Sequence, residues 1–377
     1  MKQRQNPTLD MVLLLWSRDR LRLEVATSSR GEINSWPGAS RFSDSGIESL
    51  VRDGPIGTGA YGAMLEVIFN DVKKFDIAGD SILDGRGLFA YTFGVPVSDS
   101  HYRIRSQDNT AWLAIAYEGI LQVDAQTADP VQLTVVTKGL PPASGLCETS
   151  STLSFKGGTS GDYHILLPAV AGQRFIGATG RETQNTIAFS NCRQYSSESI
   201  VTYYAGPDDT KFTDRTAIKP PPPTIPEGRP FSMELLTPFD SDTAAAGDHF
   251  DARLTAPLRD GKRLIAPKGA LIEGRVSDVE IDFRPTQVVT FGLIPESLEI
   301  GGARVPFAAR LDPQPFIVAK AQKRPKKLQF YLPARAEYLH EFRFTGCHAI
   351  LPKGFVSDWL TAASSNSGAP STHRPQQ

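Results

Sequence analysis

Alternating apolar and polar positions dominate the chain and predict a mainly β, antiparallel protein. Phe89, Tyr91 and Phe93 fall on one face of a strand, and Leu88 and Ala90 fall on the other. Three more runs of this kind follow, at residues 111–117, 119–124 and 131–137. Their connections are short and rich in Asp, Gly and Pro, which favours an antiparallel meander.

A helical pattern interrupts the alternation near residues 45–70. Ile47 and Leu50 have helical spacing in the first part, and a second helix is predicted over residues 60–69 with an apolar stripe. The stripe consists of Tyr61, Met64, Leu65, Ile68 and Phe69. A curved sheet with helices in its concavity buries such a stripe. The prediction is therefore an antiparallel half-barrel with a short helical pair.

The second half of the chain predicts a separate small β barrel or sandwich. Phe231, Met233 and Leu235 alternate with polar residues, and Gly301-Gly302 lies between two apolar runs, as in a hairpin. The predicted domains are a half-barrel module at 1–218, a proline-rich linker at 219–230, a β module at 231–361 and a disordered tail at 362–377.

Composition and charge exclude several classes of protein. The chain has 40 Lys and Arg against 41 Asp and Glu, so nothing indicates a nucleic-acid partner. No apolar run reaches the roughly 18 residues of a transmembrane helix. The run at residues 11–16 is too short for the core of a signal peptide, so we expect that the natural start was lost by truncation.

The sequence predicts no catalytic residue, no cofactor and no metal site. Residues 57–62 match G-x-G-x-x-G, but the preceding segment is helical and the following strands are antiparallel, which argues against a nucleotide site. The histidines are scattered, without spacing typical of metal ligands. The basic cluster at residues 320–327 is interpreted as a solvated loop, with contact to anionic lipid as the alternative.

Three cysteines suggest an oxidising compartment. Cys147 and Cys192 each border a predicted strand of the first module, so we expect a disulfide between them. Closing this loop would stabilise the folded protein by roughly 4 kcal/mol in the chain-entropy model. Such bonds persist in extracytoplasmic compartments. Cys347 would then be left buried and inert.

The aromatic face of the half-barrel is the candidate ligand site. An incomplete fit between helices and sheet would leave an apolar cavity, and the alternative is a filled core. The residues proposed to contact a ligand are Tyr61, Leu65, Ile68, Phe69, Phe89, Tyr91 and Phe93.

Four short segments of the first module carry a resemblance to a known superfamily. They are Asp84-Gly85-Arg86-Gly87-Leu88-Phe89-Ala90-Tyr91, Tyr102-Arg103-Ile104, Gly119-Ile120-Leu121-Gln122-Val123-Asp124 and Val131-Gln132-Leu133. Over roughly residues 21–137 this resembles the bacterial lipoprotein-carrier (LolA) and MucB/RseB superfamily. The resemblance implies a periplasmic or cell-envelope protein with an unclosed barrel that holds acyl chains or senses lipidated partners. The extra region at residues 140–204 departs from it.

Two further likenesses complete the sequence-based hypotheses. The whole layout resembles uncharacterised secreted bacterial proteins, and residues 246–276 are similar to β domains of bacterial secretion-channel proteins. The first hypothesis is a non-enzymatic envelope protein that binds a lipid acyl chain, another hydrophobic ligand or a lipoprotein. The alternatives are a structural or assembly protein that docks on other envelope proteins, and an unrecognised hydrolase.

Overall fold

The protein is described by a computed structural model covering residues 16–28, 31–39, 61–83, 85–108, 110–160, 163–192, 225–283, 287–312, 330–331 and 340–363. Strands make up 62% of these residues and helices 6%, which confirms the mainly β prediction. Several predicted features lie outside the described residues. They are the first helix of the pair, residues 57–60 of the glycine motif, the strand at 199–204, residues 219–224 of the linker, the basic cluster and the tail from 364.

The described part of the chain contains one α-helix and twenty-five strands, some of only two or three residues. The helix is α1 (Tyr61–Asp71). The strands are β1 (Ser17–Asp19), β2 (Glu24–Ser28), β3 (Gly31–Ser35), β4 (Asp76–Leu83), β5 (Arg86–Val95), β6 (Arg103–Arg105), β7 (Trp112–Ala114), β8 (Tyr117–Asp124), β9 (Pro130–Lys138), β10 (Leu146–Ser160), β11 (Tyr163–Gly177), β12 (Glu182–Ala188), β13 (Pro230–Leu235), β14 (Phe239–Asp240), β15 (His249–Leu254), β16 (Leu258–Asp260), β17 (Arg263–Ala266), β18 (Leu271–Asp282), β19 (Val288–Ile300), β20 (Ala303–Pro306), β21 (Ala308–Leu311), β22 (Phe330–Tyr331), β23 (Glu341–Thr345), β24 (Ile350–Leu351) and β25 (Val356–Ala362).

The chain divides into two compact units. Unit 1 contains the described residues up to Val25, residues 34–39 and everything described from residue 225 onward. Unit 2 contains α1 and the strands between residues 76 and 188. The sequence-based division placed residues 1–218 together, whereas the structure groups residues 16–25 with the C-terminal strands. The reason is backbone pairing: β1 lies antiparallel to the end of β18, with Arg18 opposite Ile281.

Unit 1 closes its sheet into a barrel. The order β25-β13-β15-β18-β19 is antiparallel throughout, and the two consecutive strands β20 and β21 join its ends. β20 pairs with β19, and after the single residue Phe307 the chain continues as β21, which pairs with β25. This closure gives β25 and β19 a neighbour on both sides, while β22 and β1 remain edge strands among the described residues. The inward side chains alternate as the sequence predicted: Met233 and Leu235 are 1% exposed, and Trp359 is fully buried.

Unit 2 is a seven-stranded antiparallel sheet with the order β12-β11-β10-β9-β8-β5-β4. From β8 to β12 each strand pairs with the next one along the chain, so the predicted meander is confirmed over this part. The predicted strand at 111–117 does not belong to it, because β7 pairs with β6 in a separate two-stranded sheet and β5 pairs directly with β8. The sheet forms a nearly closed half-barrel. Helix α1 packs against one face of it, because Ile68 belongs to the same buried cluster as Phe93 and Leu133.

The predicted disulfide between Cys147 and Cys192 is wrong. Both residues are exposed and unpaired, and Cys347 is exposed as well, not buried as expected. Cys147 lies beside Leu146, which is opposite Gly177, whereas Cys192 lies beyond Ala188, which is opposite Val170. These positions are at opposite ends of the β11–β12 pair, roughly 20 Å apart at 3.3 Å per residue. A disulfide needs Cα atoms within about 7 Å.

Thiol counting checks this correction directly. Titration of the native, unreduced protein with a thiol-reactive dye is expected to label three cysteines, because all three side chains are exposed. A disulfide between any two of them would leave one reactive thiol, and the count would stay at one after unfolding in denaturant.

Candidate functional site

The predicted aromatic residues of β5 share one face of the sheet. In the register between β5 and β8, Phe89 is opposite Val123, Tyr91 is opposite Leu121 and Phe93 is opposite Gly119. This inner face is the one that α1 covers, since Phe93, Leu121 and Ile68 form one buried cluster. The sequence-based assignment of Phe89, Tyr91 and Phe93 to a common face is therefore confirmed.

The opposite, outer face is largely polar. A row of side chains crosses it from Thr92 through Ile120 and Thr134 to Thr152. The two threonine hydroxyls at the end of this row lie 3.4 Å apart. Leu88 is an exception on this face and is almost fully buried. The sheet therefore separates an aromatic inner face from an outer face with a threonine row.

Gly119 lets the ring of Phe93 lie flat against the sheet. A Cβ atom at this position would overlap both the Phe93 ring and the carbonyl oxygen of Thr134. A glycine directly opposite a large aromatic residue thus allows the ring to pack against the partner backbone.

A chain of aromatic contacts leads from the helix into the unit. Phe69 contacts Phe75 at 6.0 Å between ring centroids, and Phe75 contacts Phe93 at 5.6 Å. The chain continues from Phe93 to Tyr117 at 6.2 Å and from Tyr117 to Tyr102 at 5.6 Å. The Phe93 and Tyr117 contacts approach an edge-to-face geometry, which aromatic pairs prefer.

Helix α1 contributes only part of the predicted stripe to this face. Ile68 is 1% exposed, and Leu65 is partly buried against the cluster. Phe69 is 54% exposed, although its ring contacts Phe75. Tyr61 begins the helix, but its side chain lies outside the described part.

The inner face is covered at one end and open at the other. Along β5, Phe93 is 6% exposed and Phe89 is 43% exposed. On the neighbouring edge strand β4, Ile77 lies opposite Tyr91 and Ile82 lies opposite Gly87, on the same face. These two isoleucines are 77% and 80% exposed. The sequence analysis missed them, because the sequence does not show whether an isoleucine in a strand of apolar and polar residues is buried or exposed.

A buried carboxylate stands at the covered end. Asp71, the last residue of α1, has a fully buried side chain. Its oxygens accept hydrogen bonds from the backbone N–H of His101 at 2.8 Å and from the Tyr117 hydroxyl at 2.9 Å. The Nδ1 atom of His101 lies 2.5 Å from the other carboxylate oxygen. These bonds tie the end of the helix to the loop before β6 and to β8.

The surroundings keep Asp71 ionised and Tyr117 protonated. Burial alone would raise the pKa of Asp71, but the hydrogen bonds from His101 and Tyr117 outweigh it and lower the pKa below its usual range. Burial and then the hydrogen bond to Asp71 raise the pKa of Tyr117. The pair is therefore a charged acceptor facing a neutral donor, the stronger kind of hydrogen bond.

An oriented histidine beside a carboxylate can also act as a general base. Among the described residues, however, the His101 ring makes a polar contact only with Asp71, and no hydroxyl or thiol lies in hydrogen-bonding distance of it. The Asp71 cluster (Asp71, His101 and Tyr117) accordingly fits the role of a structural link. Its members are separated by up to 46 residues, so no local motif could have revealed it.

Comparisons with known proteins identified no relative of the chain. No protein-family model matches the chain, and searches of curated proteins and of solved structures found no significant match. In the described part of the chain, no helix combines the length and the apolar character that crossing a membrane requires.

Proposed function

We propose that unit 2 is a non-enzymatic module of a cell-envelope protein that holds one apolar chain, from a lipid or a lipoprotein, against its inner face. The observation that carries the proposal is the gradient of exposure along this face, from Phe93 at 6% to Phe89 at 43%. A sheet built only to fill a core would bury its aromatic face throughout.

The open end offers a suitable surface for an acyl chain. Phe89, Ile77 and Ile82 lie on two neighbouring strands, whose axes are about 4.8 Å apart. This strip is narrow and mostly apolar, with the exposed carboxylate of Asp80 opposite Phe89, and its apolar part suits one extended hydrocarbon chain. Burying such a chain is favourable by roughly 0.8 kcal/mol per methylene group. Exposed apolar side chains grouped on one face commonly mark an interaction site.

At the covered end, the ligand would contact side chains that are already held in place. The hydrogen bond to Asp71 fixes the Tyr117 side chain, and ring contacts connect Tyr117 to Phe93 and Phe93 to Phe75. A bound chain would therefore extend an existing apolar cluster and would not have to open a filled core. This arrangement lowers the cost of binding, because the contacting rings are already ordered.

The cell-envelope location is part of the proposal and is supported by the resemblance to lipoprotein carriers. The three exposed, unpaired cysteines remove the disulfide as an argument for it. Docking on other envelope proteins without a small ligand is the alternative function, and the following experiment separates it from acyl-chain binding.

Two matched variants test the inner face. Phe89 and Ile120 are each 43% exposed, but they lie on opposite faces of the same strand pair. Phe89→Asp places a charge beside the proposed ligand and is expected to weaken binding of a fluorescent fatty acid at least tenfold, since a buried unpaired charge costs more than about 1.4 kcal/mol. Ile120→Asp is expected to bind within about twofold of the wild type. The readout is a fluorescence titration of the full chain.

The outcomes of this titration are distinct. Equal weakening by both variants would mean that the fatty acid adheres without using the inner face. Saturable binding that is unaffected by Phe89→Asp would place the ligand elsewhere. No saturable binding by the wild-type protein would favour the scaffold function.

A further inference from the structure

Three metal-ligating side chains converge in unit 1. The Nε2 atom of His348 lies 2.9 Å from Oδ1 of Asp240 and 3.8 Å from Oδ2 of Asp242. One ligand atom from each of the three residues lies within 4.8 Å of the other two. The sequence analysis predicted no metal site, because Asp240 and His348 are 108 residues apart.

Backbone pairing holds the two segments of this cluster together. Asp240 in β14 is opposite Ile350 in β24. One residue further on, the N–H of Ser241 donates to the carbonyl of Ala349 at 3.0 Å, and the N–H of Ala349 donates to the Ser241 hydroxyl at 3.1 Å. Ser241 is fully buried, so the turn that carries both aspartates is anchored next to His348.

The first aspartate is also fixed by its own turn. The N–H of Asp242 donates to Oδ1 of Asp240 at 2.8 Å, an Asx turn that sets the direction of the carboxylate. The Asx turn therefore holds the Asp240 carboxylate in the direction of the His348 imidazole.

We propose that Asp240, Asp242 and His348 bind a divalent transition-metal ion of the zinc type. Zinc binds imidazole nitrogen and carboxylate oxygen at about 2.0–2.2 Å, so two ligands around it lie roughly 3–4 Å apart. The distances of 2.9 Å and 3.8 Å from His348 to the two carboxylates match this spacing. An imidazole ligand favours zinc over calcium or magnesium, which prefer oxygen alone. Two carboxylates also balance the charge of a divalent ion.

Two arginines lie close to the cluster, and Arg20 donates a hydrogen bond to the carbonyl oxygen of Ser241. Arg18 pairs with Oδ1 of Asp242 at 3.3 Å, whereas the atom facing His348 is Oδ2. Asp240 also lines a cavity of about 400 Å³, together with Thr243 and Asp248. A zinc ion on three protein ligands keeps a further position for water or another small ligand.

The test is a zinc titration of the full-length protein after removal of metals by a chelator, read by competition with a coloured zinc indicator. The wild-type chain is expected to bind one equivalent. Asp240→Asn keeps the acceptor of the Asx turn but loses the charge, and we expect at least tenfold weaker binding. His348→Gln is expected to weaken binding by a similar factor, because it removes the only nitrogen ligand. Circular dichroism checks that both variants remain folded.

Three further variants control for other sources of binding. His249→Gln changes another histidine that lines the same cavity but is bonded to the carbonyl of Pro37, and it is expected to bind like the wild type. Cys347→Ser tests the neighbouring thiol and should also leave the affinity unchanged. Arg18→Gln removes a competing cation and is expected to strengthen binding about two- to fivefold, in the range of a weak exposed ion pair.

Two results would overturn the proposal. One is a wild-type protein that binds no zinc at about 100 μM, a concentration at which even a weak specific site with a Kd of about 40 μM is mostly occupied. The other is zinc binding that persists unchanged in both Asp240→Asn and His348→Gln, which would identify an adventitious ion held elsewhere.

Discussion

Replacing Phe93 with alanine is expected to lower the free energy of unfolding of unit 2 by about 3–5 kcal/mol. Phe93 is 6% exposed and contacts the rings of both Phe75 and Tyr117. Its ring also lies over Gly119, which has no side chain to fill the space that would be left. The cavity would therefore persist, and the loss should lie toward the upper end of the range.

Hydrogen exchange at increasing urea measures this loss, because peptides from β5 and β8 report on unit 2 alone. Phe89→Ala is the matched control on the same strand and face. Since Phe89 is already 43% exposed, its truncation should cost only about 1 kcal/mol. Equal losses in the two variants would contradict a face that is covered at one end and open at the other.

Replacing Asp71 with asparagine is expected to destabilise unit 2 by about 2–4 kcal/mol at neutral pH. The carboxylate accepts from the His101 backbone and from the Tyr117 hydroxyl, and its other oxygen faces the His101 ring. An asparagine oxygen can accept from the same two donors only as a neutral acceptor, and its NH₂ group would require the His101 tautomer in which Nδ1 is the acceptor. The link between the end of α1 and β8 would therefore lose its charge-assisted character.

The lowered pKa of Asp71 also predicts how the stability difference between wild type and Asp71→Asn changes with pH. The pKa of Asp71 is lowered in the folded protein, so its contribution to stability is fully present above the ordinary aspartate pKa of about 3.9. That contribution is lost as the pH falls through the lower, folded value. The difference in stability between wild type and Asp71→Asn should therefore be constant near neutral pH and shrink below about pH 4.

Urea unfolding of both proteins between pH 7 and pH 3 checks this, again with peptides from unit 2. Tyr117→Phe removes one of the donors and should cost about 1–2 kcal/mol at neutral pH, less than Asp71→Asn. A difference between wild type and Asp71→Asn that grows on acidification would mean that the carboxyl is protonated in the folded state.

The alternating faces of the strands could be predicted from the sequence because they depend on neighbouring residues. The period of two on β5 placed Phe89, Tyr91 and Phe93 together, and the register with β8 confirms it. The same holds in unit 1, where the alternation at β13 predicted the buried positions. Local period carries this information, because a strand turns every second side chain to the same side.

Contacts between distant segments could not be predicted in this way. The pairing of β1 with β18 joins residues more than 250 positions apart, and a short polar strand such as Ser17–Asp19 carries no sign of its partner. The cysteines illustrate the same limit, because both border strands of one sheet but at opposite ends of it. A cysteine's position near the end of a strand does not tell at which end of the sheet it lies.

The polar clusters were missed for a related reason. Asp71 ends a helix and His101 lies in a loop 30 residues later, and neither position is unusual by itself. Asp240 and Asp242 lie in a turn, where aspartate is common, and Asp240 forms an Asx turn. Only the approach of His348 distinguishes them from other aspartates in turns.

Native mass spectrometry tests the central claim most directly. The full chain would be purified from a bacterial envelope fraction, weighed without denaturation, and extracted with solvent for lipid analysis. The account predicts one acyl-chain adduct per chain in the wild type, retained in Ile120→Asp and absent from Phe89→Asp. A clean protein mass for the wild type, with no uptake of added lipid, would contradict acyl-chain binding.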